Sequence, residues 1–214
     1  MLVGARMTHT PITILPETPV TDAQALMRRE KVHRLPVVDR RKRLVGIVTH
    51  KDLLYASPSP ATSLSIWETS YLLNKLEVKK VMSTEIITVG EDTPLEDAAR
   101  VMADNNIGGV PVMRGNVLTG IITESDLFKV FIELFGARER GVRVTMLIPE
   151  KKGELSQIAS AIAAEGGNII SFGSTAGRDV TNCLATIKVS DIPQERLITI
   201  LEPLAQQIID VREG

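Results

Sequence analysis

The sequence predicts a mixed α/β (α+β) protein: two β-α-β-β-α units in tandem, followed by a ferredoxin-like β-α-β-β-α-β domain. Three observations predict it. The first two thirds of the chain repeat themselves at an interval of about 75 residues. From Gly141 onward a different alternation of strands and helices takes over. The composition is 43% hydrophobic but only 3% aromatic, so the cores must be made from Val, Ile, Leu, Ala and Met, which suits layers of helix on sheet.

The repeat is ordered along the chain. Met7, Ile12, Thr13, Thr18, Pro19, Asp22, Ala23, Met27, Pro36 and Val37 recur as Met82, Ile87, Thr88, Thr93, Pro94, Asp97, Ala98, Met102, Pro111 and Val112. After a one-residue gap, Leu44, Gly46, Ile47, Thr49, Asp52 and Leu53 recur as Leu118, Gly120, Ile121, Thr123, Asp126 and Leu127. Each copy begins with a short β-branched strand, at residues 12–14 and 86–89. A helix follows, with Thr18-Pro19 and Thr93-Pro94 as cap and first turn, and with Glu96 completing a capping box on Thr93. Val20, Ala23, Leu26 and Met27, matched by Leu95, Ala98, Val101 and Met102, fall at helical spacing and form its core face. Two β-rich segments then pair around a polar turn, residues 39–43 in the first copy and Arg114-Gly115-Asn116 in the second, and a second helix starts at Thr49 and at Thr123. The basic run Arg40-Arg41-Lys42-Arg43 reads as a solvated hairpin turn.

The predicted boundaries are 1–56 and 78–135 for the two units, with a 57–77 linker that holds a short amphipathic helix carrying Trp67 and Tyr71 as packing residues. A second linker, 136–140, precedes the 141–214 domain. The net charge of −1 and pI near 6.3 provide no footprint for nucleic acid. Cys183, the single cysteine, excludes an intramolecular disulfide and a cysteine-based zinc site. Neither a signal-like N-terminus nor an apolar run long enough to span a bilayer is found, so the expectation is a cytoplasmic protein with no membrane partner.

Gly46-Ile47-Val48-Thr49-His50-Lys51-Asp52-Leu53 and Gly120-Ile121-Ile122-Thr123-Glu124-Ser125-Asp126-Leu127, each closing a matching unit, resemble the tandem CBS domains of a Bateman module. The resemblance covers about residues 1–135 and implies an adenosine-ligand cleft between the units. The residue chemistry agrees. A carboxylate in Thr-x-x-Asp lies in the first turn of a helix, where it can accept from both ribose hydroxyls, while the threonine hydroxyl and the helix-start N–H groups suit a phosphate. Ile12, Pro36 and Val37, with Ile87, Pro111 and Val112, are candidates to sandwich an adenine read by strand backbone near Thr13 and Thr88. Thr49, Asp52, Thr123 and Asp126 are equally suited to cap their helices, and the two roles are compatible. The first copy is the more basic. Lys31, His33, Arg34 and Lys51 stand where the second has Asn106, Gly108, Gly109 and Ser125, so the expected ligand of the cleft that His33 and Arg34 reach is a polyphosphate such as ATP or ADP, while the other cleft takes fewer charges or stays empty.

In the C-terminal part, strands are predicted at 142–148, 168–174, 183–190 and 207–212 and helices at 154–165 and 193–204. Pro149-Glu150-x-x-Gly153-x-Leu155 and Gly167-Asn168-Ile169 resemble an ACT domain, which implies dimerisation and amino-acid binding at Glu150, Gly153, Leu155, Asn168 and Ile169. Lys152 replaces the proline usual in that turn, and a helix start that only supports a homodimer remains open.

The domain order resembles the acetoin-utilisation accessory proteins. It implies a non-catalytic sensor with an adenine nucleotide as regulatory ligand, no catalytic cofactor, no metal, and a regulated enzyme as partner. A constitutive dimeric scaffold and an enzyme are the rival classes. Against the enzyme, His9, His33 and His50 lack metal-ligand spacing and no P-loop or Gly-x-Ser-x-Gly string occurs.

Overall fold

The computed structural model describes residues 1–56 and 74–214. Residues 57–73, with most of the predicted linker helix, Trp67 and Tyr71, lie outside the described residues. The chain divides into two compact units, Met1–Leu127 and Phe128–Gly214, so the break falls upstream of the 136–140 linker expected from sequence.

In the first unit the helices are α1 (Val20–Glu30), α2 (His50–Tyr55) and α3 (Leu95–Asp104), with α4 (Glu124–Leu134) starting at its end. Its strands are β1 (Thr8–His9), β2 (Arg34–Val38), β3 (Leu44–Thr49), β4 (Val89–Gly90), β5 (Gly109–Arg114) and β6 (Val117–Thr123). The two hairpins form as the sequence predicts. In the first, β2 and β3 pair antiparallel around a turn in which Asp39 Oδ1 accepts from the backbone N–H groups of Arg41 and Arg43. In the second, β5 and β6 pair around Gly115, whose φ of 58° favours glycine.

The leading strands are shorter than predicted. In the first copy only Ile14 bridges to Val37, in parallel, and in the second β4 pairs with β5 through Val89 and Gly90. Residues 86–88 leave the sheet. The capping box on Thr93 is not formed either: α3 has Pro94 as its N-cap, and the Thr93 hydroxyl instead accepts from the Gly90 N–H at 3.0 Å. Pro19 caps α1 in the same way.

The copies exchange their leading segments. Residues of the first copy, Val3 and Gly4, donate backbone hydrogen bonds to Thr93 and Glu91 of the second, and β1 pairs with β6. In mirror image, Val78 and Lys79 of the second copy donate to Thr18 and Pro16 of the first, and Ser83 bridges to Ile47. Val3 and Val78 are fully buried, and Val78 joins the core that α1, β2, β3 and α2 build from Val20, Ala23, Met27, Leu35, Val37, Val48 and Leu53. Each repeat therefore lends the other an apolar segment, and neither core closes alone.

The second unit is an antiparallel sheet, β7 (Val142–Pro149), β8 (Asn168–Ala176), β9 (Asn182–Ser190) and β10 (Gln207–Glu213), in the spatial order β10-β7-β9-β8. With α5 (Glu154–Ala164) and α6 (Gln194–Leu201) this is the predicted β-α-β-β-α-β topology. Ile158, Ile162, Leu197 and Leu201 from the helices meet Val144, Met146, Ile187 and Val189 from the sheet in one core.

Candidate functional site

In the first unit a cavity of about 540 Å³ gathers residues from both copies. The first copy gives His33 and Arg34 at the start of β2, Ile47 on β3, and Thr49, His50, Lys51 and Asp52 where β3 turns into α2. The second copy gives Ser83, Glu85, Ile86 and Ile87 from its leading segment and Asn106 to Gly109 with Pro111 from the approach to β5. That size suits one small-molecule ligand.

The exchanged segments explain why these residues meet. Ser83 is bridged to Ile47, which brings residues 83–87 alongside the β3–α2 junction. Gly46 permits the approach, because a Cβ there would overlap the sulfur of Met82. Gly120 and Met7 repeat the arrangement in mirror image.

Thr49 and Asp52 form a reciprocal cap on α2. The Thr49 hydroxyl accepts from the Asp52 N–H at 3.3 Å, while Asp52 Oδ2 accepts from the Thr49 N–H at 2.8 Å and from its hydroxyl at 2.7 Å. Thr123 and Asp126 repeat the motif at 3.1 and 2.7 Å at the start of α4. Both carboxylates are thus held by Oδ2 in a fixed orientation.

Arg34 is the most unusual side chain of the cavity. Its Nη1 is buried without a hydrogen-bond partner. Burial pushes the guanidinium below its ordinary range, and the Glu124 carboxylate pulls it back upward. His33 and His50 sit edge to face with ring centroids 6.3 Å apart. Among the described residues no group of His, Cys, Asp and Glu is arranged to hold a metal ion.

Of the residues singled out in sequence, His33, Arg34, Thr49, Lys51, Asp52, Ile87 and Pro111 come together here. The others are placed elsewhere. Val37 and Val112 are fully buried, so their side chains do not sandwich a base; successive strand residues face opposite ways, and Pro111 takes the cavity side while Val112 takes the core. Ile12 is 37% exposed, and Thr13 and Thr88 are exposed beside Ile12 and Ile87, outside this lining. Ile12, Pro36, Thr123 and Asp126 hold the repeat positions of Ile87, Pro111, Thr49 and Asp52. Sequence reasoning missed Ile47, His50, Ser83, Glu85, Ile86 and Ile107. His50 lay inside the motif already, but residues 83–86 enter only through the exchange.

In the second unit, Glu150 and Gly153 lie in the connection from β7 to α5, Gly153 with a φ of 93° and open space where a Cβ would project. Asn168 and Ile169 begin β8, Asn168 exposed and Ile169 packed against the core; Leu155 is half exposed. Burial pushes the Cys183 thiol up, and a hydrogen bond to Glu150 together with its charge pushes it further.

The CBS domain family matches the chain at residues 3–59 and 78–133. An uncharacterized protein of Methanocaldococcus jannaschii is 38% identical over 133 residues, which cover 60% of this chain but only 31% of that protein. Three solved structures are similar to about three fifths to two thirds of the chain. A protein assigned to acetoin utilization (AcuB) from Vibrio cholerae has 34% identity, a TM-score of 0.54, and coverage of 65% of this chain and 96% of its own. The CBS domain pair of protein MJ0100, solved with 5′-methylthioadenosine and S-adenosyl-L-methionine, has 28% identity, a TM-score of 0.52, and coverages of 65% and 98%. CBSX2, solved with AMP, has 31% identity, a TM-score of 0.51, and coverages of 61% and 96%.

Proposed function

Because the chain belongs to the CBS domain family and carries two copies of the domain, we propose that it is a non-catalytic regulatory sensor that binds an adenine nucleotide in the Thr49–Asp52 cavity. One observation carries this reading: a fixed carboxylate, the basic side chains of His33, Arg34, His50 and Lys51, and several apolar ones converge on one cavity of nucleotide size. Asp52 accepts from the ribose hydroxyls, Ile47, Ile86, Ile87, Ile107 and Pro111 enclose the base, and His33, Arg34 and Lys51 meet the phosphates. Thr123 and Asp126, with Ile12 and Pro36, offer a second, mirror-related position for an adenosyl ligand. The adenosyl ligands seen in MJ0100 and CBSX2 support the ligand class, and the similarity to the Vibrio protein supports a role linked to acetoin utilization.

The second unit has the topology expected of an ACT domain and is the proposed dimerisation module, with an amino acid bound near Glu150, Gly153 and Asn168. Its sheet has two edges, β8 and β10, whose unpaired backbone groups are available to a second copy. The regulated partner is an enzyme, the working compartment is the cytoplasm, and no membrane is involved. Among the described residues no helix is long and apolar enough to cross a membrane. Calorimetry with ATP, ADP, AMP and S-adenosylmethionine tests the ligand class. Saturable binding of at least one supports the sensor, and silence toward all of them leaves a scaffold.

A further inference from the structure

We infer that the module holds one phosphorylated ligand per chain, in the Thr49–Asp52 cavity, and that Glu124 restricts the mirror-related Thr123–Asp126 position to adenosyl ligands without a phosphate. The inference rests on the sensor reading and deepens it. Its starting point is a departure from the repeat. Where β2 begins, the first copy has His33-Arg34; where β5 begins, the second has Gly108-Gly109.

The structure shows what those glycines admit. A Cβ on Gly108 would stand 2.6 Å from Arg34 Nη2 and equally 2.6 Å from Glu124 Oε2. A Cβ on Gly109 would overlap Arg34 Nη1 and come within 2.8 Å of the Ile122 carbonyl oxygen. The guanidinium of the first copy therefore fills the place where the second would project a pair of its own. One cation serves where the repeat would provide two. Its Nη1 is buried against Gly109 without an acceptor, while the side chain as a whole is half-buried and lines the cavity, so an anionic group there meets its charge.

The charge is reversed at the helix start, the cavity itself carrying one further carboxylate, Glu85, from the leading segment of the second copy. His50-Lys51 in the cavity correspond to Glu124-Ser125 at the start of α4. Glu124 stands against the same Arg34 and competes with any second anion for it. Lys31, exposed at the left-handed C-cap of α1, mirrors Asn106 and is the cation this side adds. A carboxylate at the motif itself outweighs one exposed lysine, because like charges brought together without solvent between them are strongly disfavoured. A neutral or cationic adenosyl group meets no such penalty.

The test is isothermal titration of the full chain with ATP and with 5′-methylthioadenosine, an adenosyl compound lacking phosphate. The wild type is expected to take one equivalent of ATP, in a site lost with Asp52→Ala, and to bind methylthioadenosine at the second position with ATP present. Glu124→Lys should tighten ATP at the second position at least about tenfold, exposing a second equivalent that disappears when Asp126→Ala is added. Glu124→Gln, which keeps the side-chain shape, should lie between. Methylthioadenosine should change less than about twofold in either variant. Two equal ATP equivalents in the wild type, an unaltered single equivalent in Glu124→Lys, or no methylthioadenosine bound beside ATP would each overturn the inference while leaving the sensor standing. Failure of every adenosyl compound to bind the wild type would instead remove the sensor reading and this inference with it.

Discussion

Thr49 and Asp52 perform two tasks with one set of atoms. They close the first turn of α2, and the same bonds fix the carboxylate that faces the cavity. Thr49→Ala should therefore lower stability by about 0.5–2 kcal/mol, as loss of an N-cap does, and weaken nucleotide binding as well. Thr123→Ala should show a similar loss in thermal unfolding with nucleotide affinity at the cavity little changed. This duality is why the sequence could not separate capping from ligand binding: both need the same two side chains at the same spacing. Val37 and Val112 were misread for a related reason, since apolar strand residues look alike whether they face a base or the core. Cys183 offers an independent check on the second unit. Burial and Glu150 raise its thiol, so thiolate is scarce at neutral pH and alkylation should be slower than for an unhindered cysteine. Glu150→Gln should speed alkylation at pH 7 to 8; equal rates in the two proteins would remove Glu150 from the environment of the thiol.

At the scale of elements, helices and hairpins were legible because their apolar spacing and turn residues are local signals. The exchange of leading segments was not, since nothing in residues 1–9 or 76–84 says which copy they will join. Two expectations failed where chain geometry overrode pattern: Pro94 takes the cap expected of Thr93, and residues 86–88 leave the sheet, with Ile86 and Ile87 bordering the cavity, rather than extend a strand. Gly120 and Gly46 lie where the exchanged segments cross, under Met7 and Met82. Gly120→Ala is expected to destabilise the first unit by about 1–3 kcal/mol through overpacking against buried Met7. Combining it with Met7→Ala should cost less than the sum of the two single changes, because the shorter side chain makes room for the methyl group. Additive losses in denaturant unfolding would show that the two residues do not oppose each other.

At the scale of the whole molecule, sequence placed a linker at 136–140, whereas those residues belong to the second unit. There Ser171 Oγ donates to the Phe135 carbonyl, and buried Lys188 donates from Nζ to the Gly136 carbonyl at 3.1 Å. Such side-chain bonds to backbone carry no sequence signature. Lys188→Ala should lower stability by about 1–3 kcal/mol, the cost of a lost charged hydrogen bond and an orphaned carbonyl, and amide exchange just after α4 should rise. Ligand binding adds its own signature: nucleotide at a hundred times its dissociation constant should stabilise the folded chain by about 2.7 kcal/mol, visible as a raised melting temperature. The most direct measurement is a calorimetric titration of adenine nucleotides into the wild type and Asp52→Ala. Saturable binding that falls about ten- to a hundredfold in the variant, the equivalent of one charged hydrogen bond, is the expected result. An unchanged affinity in Asp52→Ala, or a wild type that takes up no adenosine compound, would contradict it.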